Sequence, residues 1–527
     1  MSVPLPPAAP AVSRRLFAGA AAALALPGGR VLARPGFDRD PFALGVASGE
    51  STPDGFVIWT RVLADPASTA PLHGDAYRLV YDIAEDPEFR RVVRSAEILA
   101  LPQDAHSVHV EVRGLRPGRD YWYRFALPPD HRGPAGRART APAPDQAVDR
   151  FDLVFASCQH YETGFYGAWR DAIRTTPGRR PPDAVLFLGD YIYESSIRGE
   201  KVRQHGAGKP RTLDEYRRRY ALYKSDADLR AAHAAAPWFP VWDDHEVEND
   251  YAGDVSQERM DPARFRAIRA AAYRAWWEHM PVRPSMRPRG PDAAIHRRVR
   301  FGDLLEIAFL DGRQYRSPQP CPRPGRSGSN NVGADCVERL SPELTMLGRA
   351  QEEWLHAGFR AASTRWNLIA NQTLVAPVDL MPGPAELRRT DIWDGYPAAR
   401  GRLLDAVVSS RLANPVVLSG DLHTNIVADL RGGASGAGAV VATEFVGTSI
   451  SSPGPYRGEL AEAALRAENP HVRFATARHR GHVELSIGRD RLSADLRMVE
   501  DVRDPATAAR TLASFTVESG KPGATPA

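Results

Sequence analysis

The chain has 527 residues, of which 43% are hydrophobic and 25% charged, with a formal net charge of +4. That composition excludes a largely disordered protein and leaves room for two or three domains. The small basic excess is almost all arginine and forms no dense run, so a nucleic-acid-binding surface is not indicated.

Residues 1–33 read as a targeting segment. Residues 13–17 are SRRLF, and the apolar run AGAAAALALP follows before Gly28-Gly29. The run is too short to span a bilayer, which needs about 20 apolar residues. A twin arginine ahead of such a run predicts export by the twin-arginine machinery, with cleavage after Val31-Leu32-Ala33. The destination would be periplasm, cell wall or medium. No other stretch is apolar enough for a membrane span, so a soluble mature protein is expected.

Residues 38–140 alternate as short strands do. GFVIWTRV, YRLVYDI, HSVHVEV and DYWYRFAL are separated by turn sequences such as TPDG and LRPGRD. This spacing predicts a small immunoglobulin- or fibronectin-like β-sandwich. TAPAPDQ (140–146) reads as a linker.

From residue 150 to 517 the pattern is that of an α/β domain. FDLVFASC and DAVLFLGD are continuous apolar runs, as strands buried on both faces require, and the amphipathic GFYGAWRDAIRTT lies between them. Helices are predicted at 212–235, 262–280, 342–362 and 398–411. Strands are predicted at 238–243, 295–301, 304–311, 366–371, 415–420, 425–430 and 438–446. HVELSIG and LSADLRMVE predict a closing hairpin, and residues 518–527 a loose tail. Cys321 and Cys336 bracket the Pro/Gly/Ser-rich loop CPRPGRSGSNNVGADC, and in an exported protein they are expected to pair. Cys158 would then stand alone.

Polar residues collect where the buried runs stop. Cys158 ends FDLVFASC, Asp190 ends AVLFLGD and Tyr193 lies three residues on. Asp243, Asp244, His245 and Glu246 follow WFPVW, Asn371 ends WNLIAN, and Asp421 and His423 follow PVVLSG. Layered α/β folds place ligand sites beyond the carboxyl ends of their strands. Taken singly, each residue reads as a turn, a core cysteine or a helix cap. Together they form a mixed set of hard and soft ligands that points to metal chemistry. No G-x-S-x-G elbow and no G-x-x-x-x-G-K-[ST] loop is present. A central carboxylate such as Asp190 is suited to bridging two cations that clamp a phosphoryl group.

The motifs FASC (155–158), LGDYIYE (188–194), WDDHEVEND (242–250), NQT (371–373) and GDLHTN (420–425) resemble those of the PhoD-type alkaline phosphatases. The stretch ALGVASGESTPDGFVIWTRV (43–62) resembles that family's N-terminal β domain, and LGRAQEEWL (347–355) one of its helices. The resemblance implies an α/β fold with a layered metallophosphoesterase-type β-sandwich core flanked by helices, similar to that of purple acid phosphatases. It implies a metal-dependent phosphoric ester hydrolase acting on small phosphate monoesters through a water activated by Fe3+ and Ca2+. By this resemblance Cys158, Asp190, Tyr193 and His423 hold the iron, and Asp190 bridges. Asp244, Asn371 and Asp421 hold the calcium, and His245 stands beside the leaving group. Asp243, Glu246 and Asn249 are candidates for a further calcium or for supporting contacts. A phosphodiesterase or phospholipase D-like enzyme needs the same core and stays open, as does a non-catalytic phosphate- or surface-binding protein. The loops at 195–215 and 316–340 are where substrate preference would be set.

Overall fold

Continuous apolar runs become strands covered on both faces. In the computed structural model Arg150–Ala156, Ala184–Phe187 and Pro237–Pro240 lie side by side and parallel. A second parallel set is Leu305–Phe309, Trp366–Ala370, Pro415–Ser419 and Val440–Val446. Alternate side chains point to opposite faces of a strand. Ile307, Phe309, Leu368, Val416 and Leu418 accordingly join Phe155, Phe187 and Phe239 in the core between the two sheets. Ala308, Ile369 and Val417 turn the other way and pack with Leu355, Phe359, Leu403 and Val407 of helices Arg349–Ala361 and Pro397–Ser409. This is the layered α/β architecture expected. The structure describes residues 31–32, 37–67, 74–175, 180–433, 438–455 and 459–527. The SRRLF motif, the apolar run and Ala33 of the expected cleavage site lie outside them. Among the described residues no helix is long and apolar enough to cross a membrane.

The front of the molecule differs from a free-standing sandwich. One of its sheets contains Ala76–Ala84, Val92–Ala100 and Asp120–Leu127. The facing layer is Val46–Thr52, Gly55–Arg61 and Ser107–Val112, and these strands continue the sheet that holds Arg150–Ala156. Val46–Thr52 pairs in parallel with Pro237–Pro240, which makes a single ten-stranded sheet. Nor is the segment after Arg139 a free linker, because Thr140 and Ala141 are buried and Ala141 N–H bonds Thr52 O at 3.0 Å.

Two further expectations need correction. The helix expected over 212–235 is two helices, Leu213–Lys224 and Ala227–Ala235, because the Asp226 side chain caps the second by accepting from Leu229 N–H. Residues 518–527 are not a loose tail. Lys521–Pro526 pairs with Ala509–Glu518 at the sheet edge, and Gly523 N–H bonds Thr443 Oγ1 at 3.0 Å. Backbone pairing, rather than an apolar pattern, holds that strand. The hairpin Arg480–Gly488 with Arg491–Val499 is as expected, and it borders Arg150–Ala156.

Candidate metal centre

The loops that leave the parallel strands of both sheets meet at one edge. Two Gly-Asp pairs make this close approach possible. A Cβ on Gly189 would lie 2.4 Å from Asp243 Cβ, and one on Gly420 would lie 2.4 Å from Ser157 Oγ. The residues placed by these loops carry strain. Cys158, Asp190, Asp421 and His423 all have left-handed backbones, with φ between 52° and 64°. Non-glycine residues held there cost about 1 kcal/mol or more each and gather at functional sites.

One end of the centre is soft. The ligand atoms of Cys158, Asp190 and His423 lie within 4.8 Å of one another. Tyr193 joins them, its hydroxyl donating to Asp190 Oδ2 at 2.9 Å and lying 3.0 Å from His423 Nε2. His423 Nδ1–H donates to Pro453 O at 2.7 Å, which turns Nε2 toward Tyr193. Ser452 Oγ sits 2.8 Å from the Tyr193 hydroxyl and 2.9 Å from Cys158 O. Burial, reinforced by Asp190, pushes both the Cys158 thiol and the Tyr193 phenol well above their usual ranges. Cys158 is a free, buried thiol, whereas Cys321 and Cys336 form a disulfide.

The other end is acidic. Asp190, Asp244 and His245 form a second close group, and Asp244, Asp250 and Asp391 a third. Arg313, 1% exposed at its side chain, organises them. Its Nη atoms make two bonds of 2.9 Å to the Asp391 carboxylate, its Nε donates to Asp243, and Asp244 Oδ2 lies 3.6 Å away. Burial would raise the Asp244 carboxyl, but Arg313 and His245 outweigh it and hold the group below its usual range. Asp190 goes the other way. Burial pushes it well above the carboxylate range; His245 opposes this, and Asp244, Asp243 and Glu246 add to it. Asn371 donates through Nδ2 to Thr373 O and Ser419 Oγ, which directs Oδ1 away from them. Asp421 Oδ2 accepts from Thr373 Oγ1 at 2.6 Å.

The donor set fits a metal pair. Asp243 Oδ2 and Asp244 Oδ1 are buried with no hydrogen-bond partner, and several carboxylates are packed where a bound cation would relieve them. Glu246 has another task. Its two oxygens accept from Asp190 N–H (3.0 Å), Tyr191 N–H (2.6 Å) and Asp243 N–H (2.9 Å), tying two loops of the centre together. Asn249 donates its backbone N–H to Glu194 Oε1 and lines the cleft. Glu194 Oε2 in turn holds His245 Nδ1 at 2.7 Å. Burial would lower the His245 pKa, but Glu194, Asp244 and Asp190 hold it well above the ordinary value.

Sequence reasoning missed Arg313, Asp391, Glu194 and Ser452. Asp311 ends the run LLEIAFLD, the same signature as Asp190, and would have pointed to Arg313 two residues on. Asp391 and Ser452 follow no such run.

A cleft of about 320 Å³ opens over the centre. Asp190, Asp244, His245, Asp421 and His423 form its polar wall, and Leu374, Val378, Ile392, Ile426 and Leu465 an apolar one. Comparison with known proteins agrees with this geometry. Residues 153–496 match the family model described as PhoD-like phosphatase, and residues 29–142 match its N-terminal domain. Alkaline phosphatase D of Bacillus subtilis (strain 168) is 38% identical over 501 residues, covering 94% of this chain and 83% of that protein. A solved structure titled "Structure of PhoD" superposes with a TM-score of 0.87 at 37% identity, covering 94% of this chain and 93% of the other. With both parts of the chain matched, and with Asp190, Asp244, His245, Asp421 and His423 of the strand ends lining one cleft, this protein belongs to the PhoD-like phosphatase family.

Proposed function

We propose that this phosphatase hydrolyses phosphate monoesters, as an exported alkaline phosphatase, at a centre of Fe3+ and Ca2+. The observation that carries this reading is the meeting of a thiol, a phenol, an imidazole and a carboxylate at one end, sharing Asp190 with an acidic end that also holds Asp244 and His245. Cys158, Asp190, Tyr193 and His423 would hold the iron, since thiolate and phenolate favour a ferric ion. Asp190, Asp244, Asn371 and Asp421 would hold the calcium, a hard cation that prefers oxygen. When bound, the pair supplies Lewis acidity toward the phosphoryl oxygens and a nucleophilic water at working pH.

The chain's own contribution centres on His245. With Nδ1–H engaged by Glu194, its Nε2–H is left for the cleft that His245 lines. Tyr193 lies against the ring, centroids 4.1 Å apart, and limits its tilt. An imidazolium held in this way donates a proton from Nε2 to the leaving alcohol oxygen as the P–O bond breaks. The Glu246 bonds to three backbone amides keep the Asp190 and Asp243 loops in register while this happens.

Export by the twin-arginine route is supported by SRRLF and its apolar run. The Cys321–Cys336 disulfide suits an oxidising compartment, and periplasm, cell wall or medium all qualify. The deciding experiment is the ratio of kcat/KM for para-nitrophenyl phosphate to that for bis-para-nitrophenyl phosphate, with iron-loaded protein and added calcium. Monoester preference is expected. A dominant diester rate would keep the centre and overturn the monoester reading.

A further inference from the structure

Beside the metal cleft lies a second cavity of about 260 Å³, lined by Arg323, Arg326 and Arg389 together with Asn249, Asp250 and Asn331. Asn249, Asp250, Asn331 and Arg389 line both spaces, so the two are continuous. Arg389 stands at the junction. Its Nε is buried with no hydrogen-bond partner, and its charge is felt by Asp421, Asp391, Asp250 and Asp244 without any of them bonding that nitrogen. Among the described residues Arg323 bonds a neutral acceptor, Asn330 Oδ1 at 3.2 Å, and both Arg323 and Arg326 are exposed.

This cavity is a built feature. The loop carrying Arg323 and Arg326 is closed by the Cys321–Cys336 disulfide. Its return strand Asn331–Val332 pairs with Arg388–Arg389, and Asn330 N–H bonds Thr390 Oγ1 at 2.9 Å. Ser329 N–H bonds Asp250 Oδ2 at 3.1 Å, and Gln257 Nε2 bonds the same oxygen at 2.7 Å. The one lining carboxylate, Asp250, takes neutral donors on Oδ2 and shares the Arg389 charge with the metal centre, so Arg323 and Arg326 bring the cavity an excess of positive charge. Planar guanidinium forks match phosphate oxygens in pairs.

We propose that Arg323, Arg326 and Arg389 form a second anion subsite that takes a further phosphate group of the substrate. The favoured substrate would then be a phosphoester whose alcohol carries another phosphate a few bonds from the scissile one. This rests on the phosphoester reading above, since the first phosphate must sit at the metal centre. The loop acts on binding and not on the reacting atoms.

The test compares kcat/KM for propyl phosphate and propane-1,3-diyl bisphosphate at low salt, in the metal-loaded wild type and in Arg323→Gln/Arg326→Gln. Two guanidinium–phosphate contacts predict a wild-type preference for the bisphosphate of about ten-fold, carried by KM. The double variant should lose most of that preference while propyl phosphate hydrolysis stays within about two-fold. Arg323→Lys/Arg326→Lys should restore part of it, because charge returns without the fork. Equal wild-type efficiencies, or a variant that loses both substrates equally, would overturn the subsite. Failure to hydrolyse either substrate would overturn the phosphoester reading first, and the subsite with it.

Discussion

At the soft end of the centre, Cys158, Tyr193 and His423 each contact a neutral partner, respectively Ser157, Ser452 and the carbonyl of Pro453. At the acidic end, Asp243, Asp244 and Asp391 crowd around one buried guanidinium, Arg313. The soft end has its own buried cation, Arg480, but among the described residues that side chain bonds neutral oxygens, those of His423 O, Ser449 Oγ, Ser452 O and Ala477 O. Neutral partners tolerate burial, so the soft end is arranged by hydrogen bonds, with Asp190 its one carboxylate. Buried carboxylates do not, so the acidic end is arranged by charge. One end therefore owes its shape to many small contacts and the other to a few buried guanidinium groups, Arg313 foremost and Arg316 behind it.

Asp190 is the residue the two ends share, and removing its charge should break both. Asp190→Asn is expected to lose metal and activity together, by more than the roughly 10–100-fold typical of outer contacts. Metal analysis beside kcat/KM checks this, and a variant with normal metal content and normal turnover would sink the shared-ligand assignment. Arg313→Met should separate the ends. It strands Asp243 without a cation and leaves Asp391 with only Arg316, which removes one side of a buried ion pair and costs about 3–5 kcal/mol. Urea denaturation measures that loss. A change below about 1 kcal/mol would mean the carboxylates are protonated rather than paired.

A weaker and more local effect is expected at the soft end. Tyr193→Phe deletes one phenol and keeps the ring that packs on His245 and His160. Iron-loaded wild type should show a visible phenolate-to-iron band that the variant lacks, with calcium content unchanged. A band that persists would remove Tyr193 from the iron site.

This contrast also explains what could be read from the chain beforehand. Cys158, Asp190, Asn371 and Asp421 stood out because a strand buried on both faces is a continuous apolar run, and the run's end places the next polar residue at the sheet edge. Arg313 and Asp391 meet across 78 residues, and nothing in the local pattern of DIWDG announces a partner for Arg313. The join between the front strands and the catalytic sheet was hidden for a related reason. VASGEST is polar and glycine-containing, yet six of the seven residues in Val46–Thr52 are buried. Ser48 and Ser51 satisfy their hydroxyls on the carbonyls of Arg137 and Arg139, so a polar stretch sits in a core position that an apolar pattern cannot reveal.

The smallest expected effect lies between the two ends, at the pair Glu194 and His245. Glu194→Gln keeps the side chain's shape and its place as acceptor for Asn249 N–H, but withdraws the charge that holds the imidazole protonated. If His245 supplies the leaving-group proton, kcat should fall by about ten-fold for an alkyl phosphate, a part of the roughly 100-fold or more that a general acid contributes. For para-nitrophenyl phosphate it should fall little, because that alcohol departs without help, and KM should hold for both. A fall of the same size on both substrates would make Glu194 a support for the loop and would leave the departing oxygen without a proton from His245.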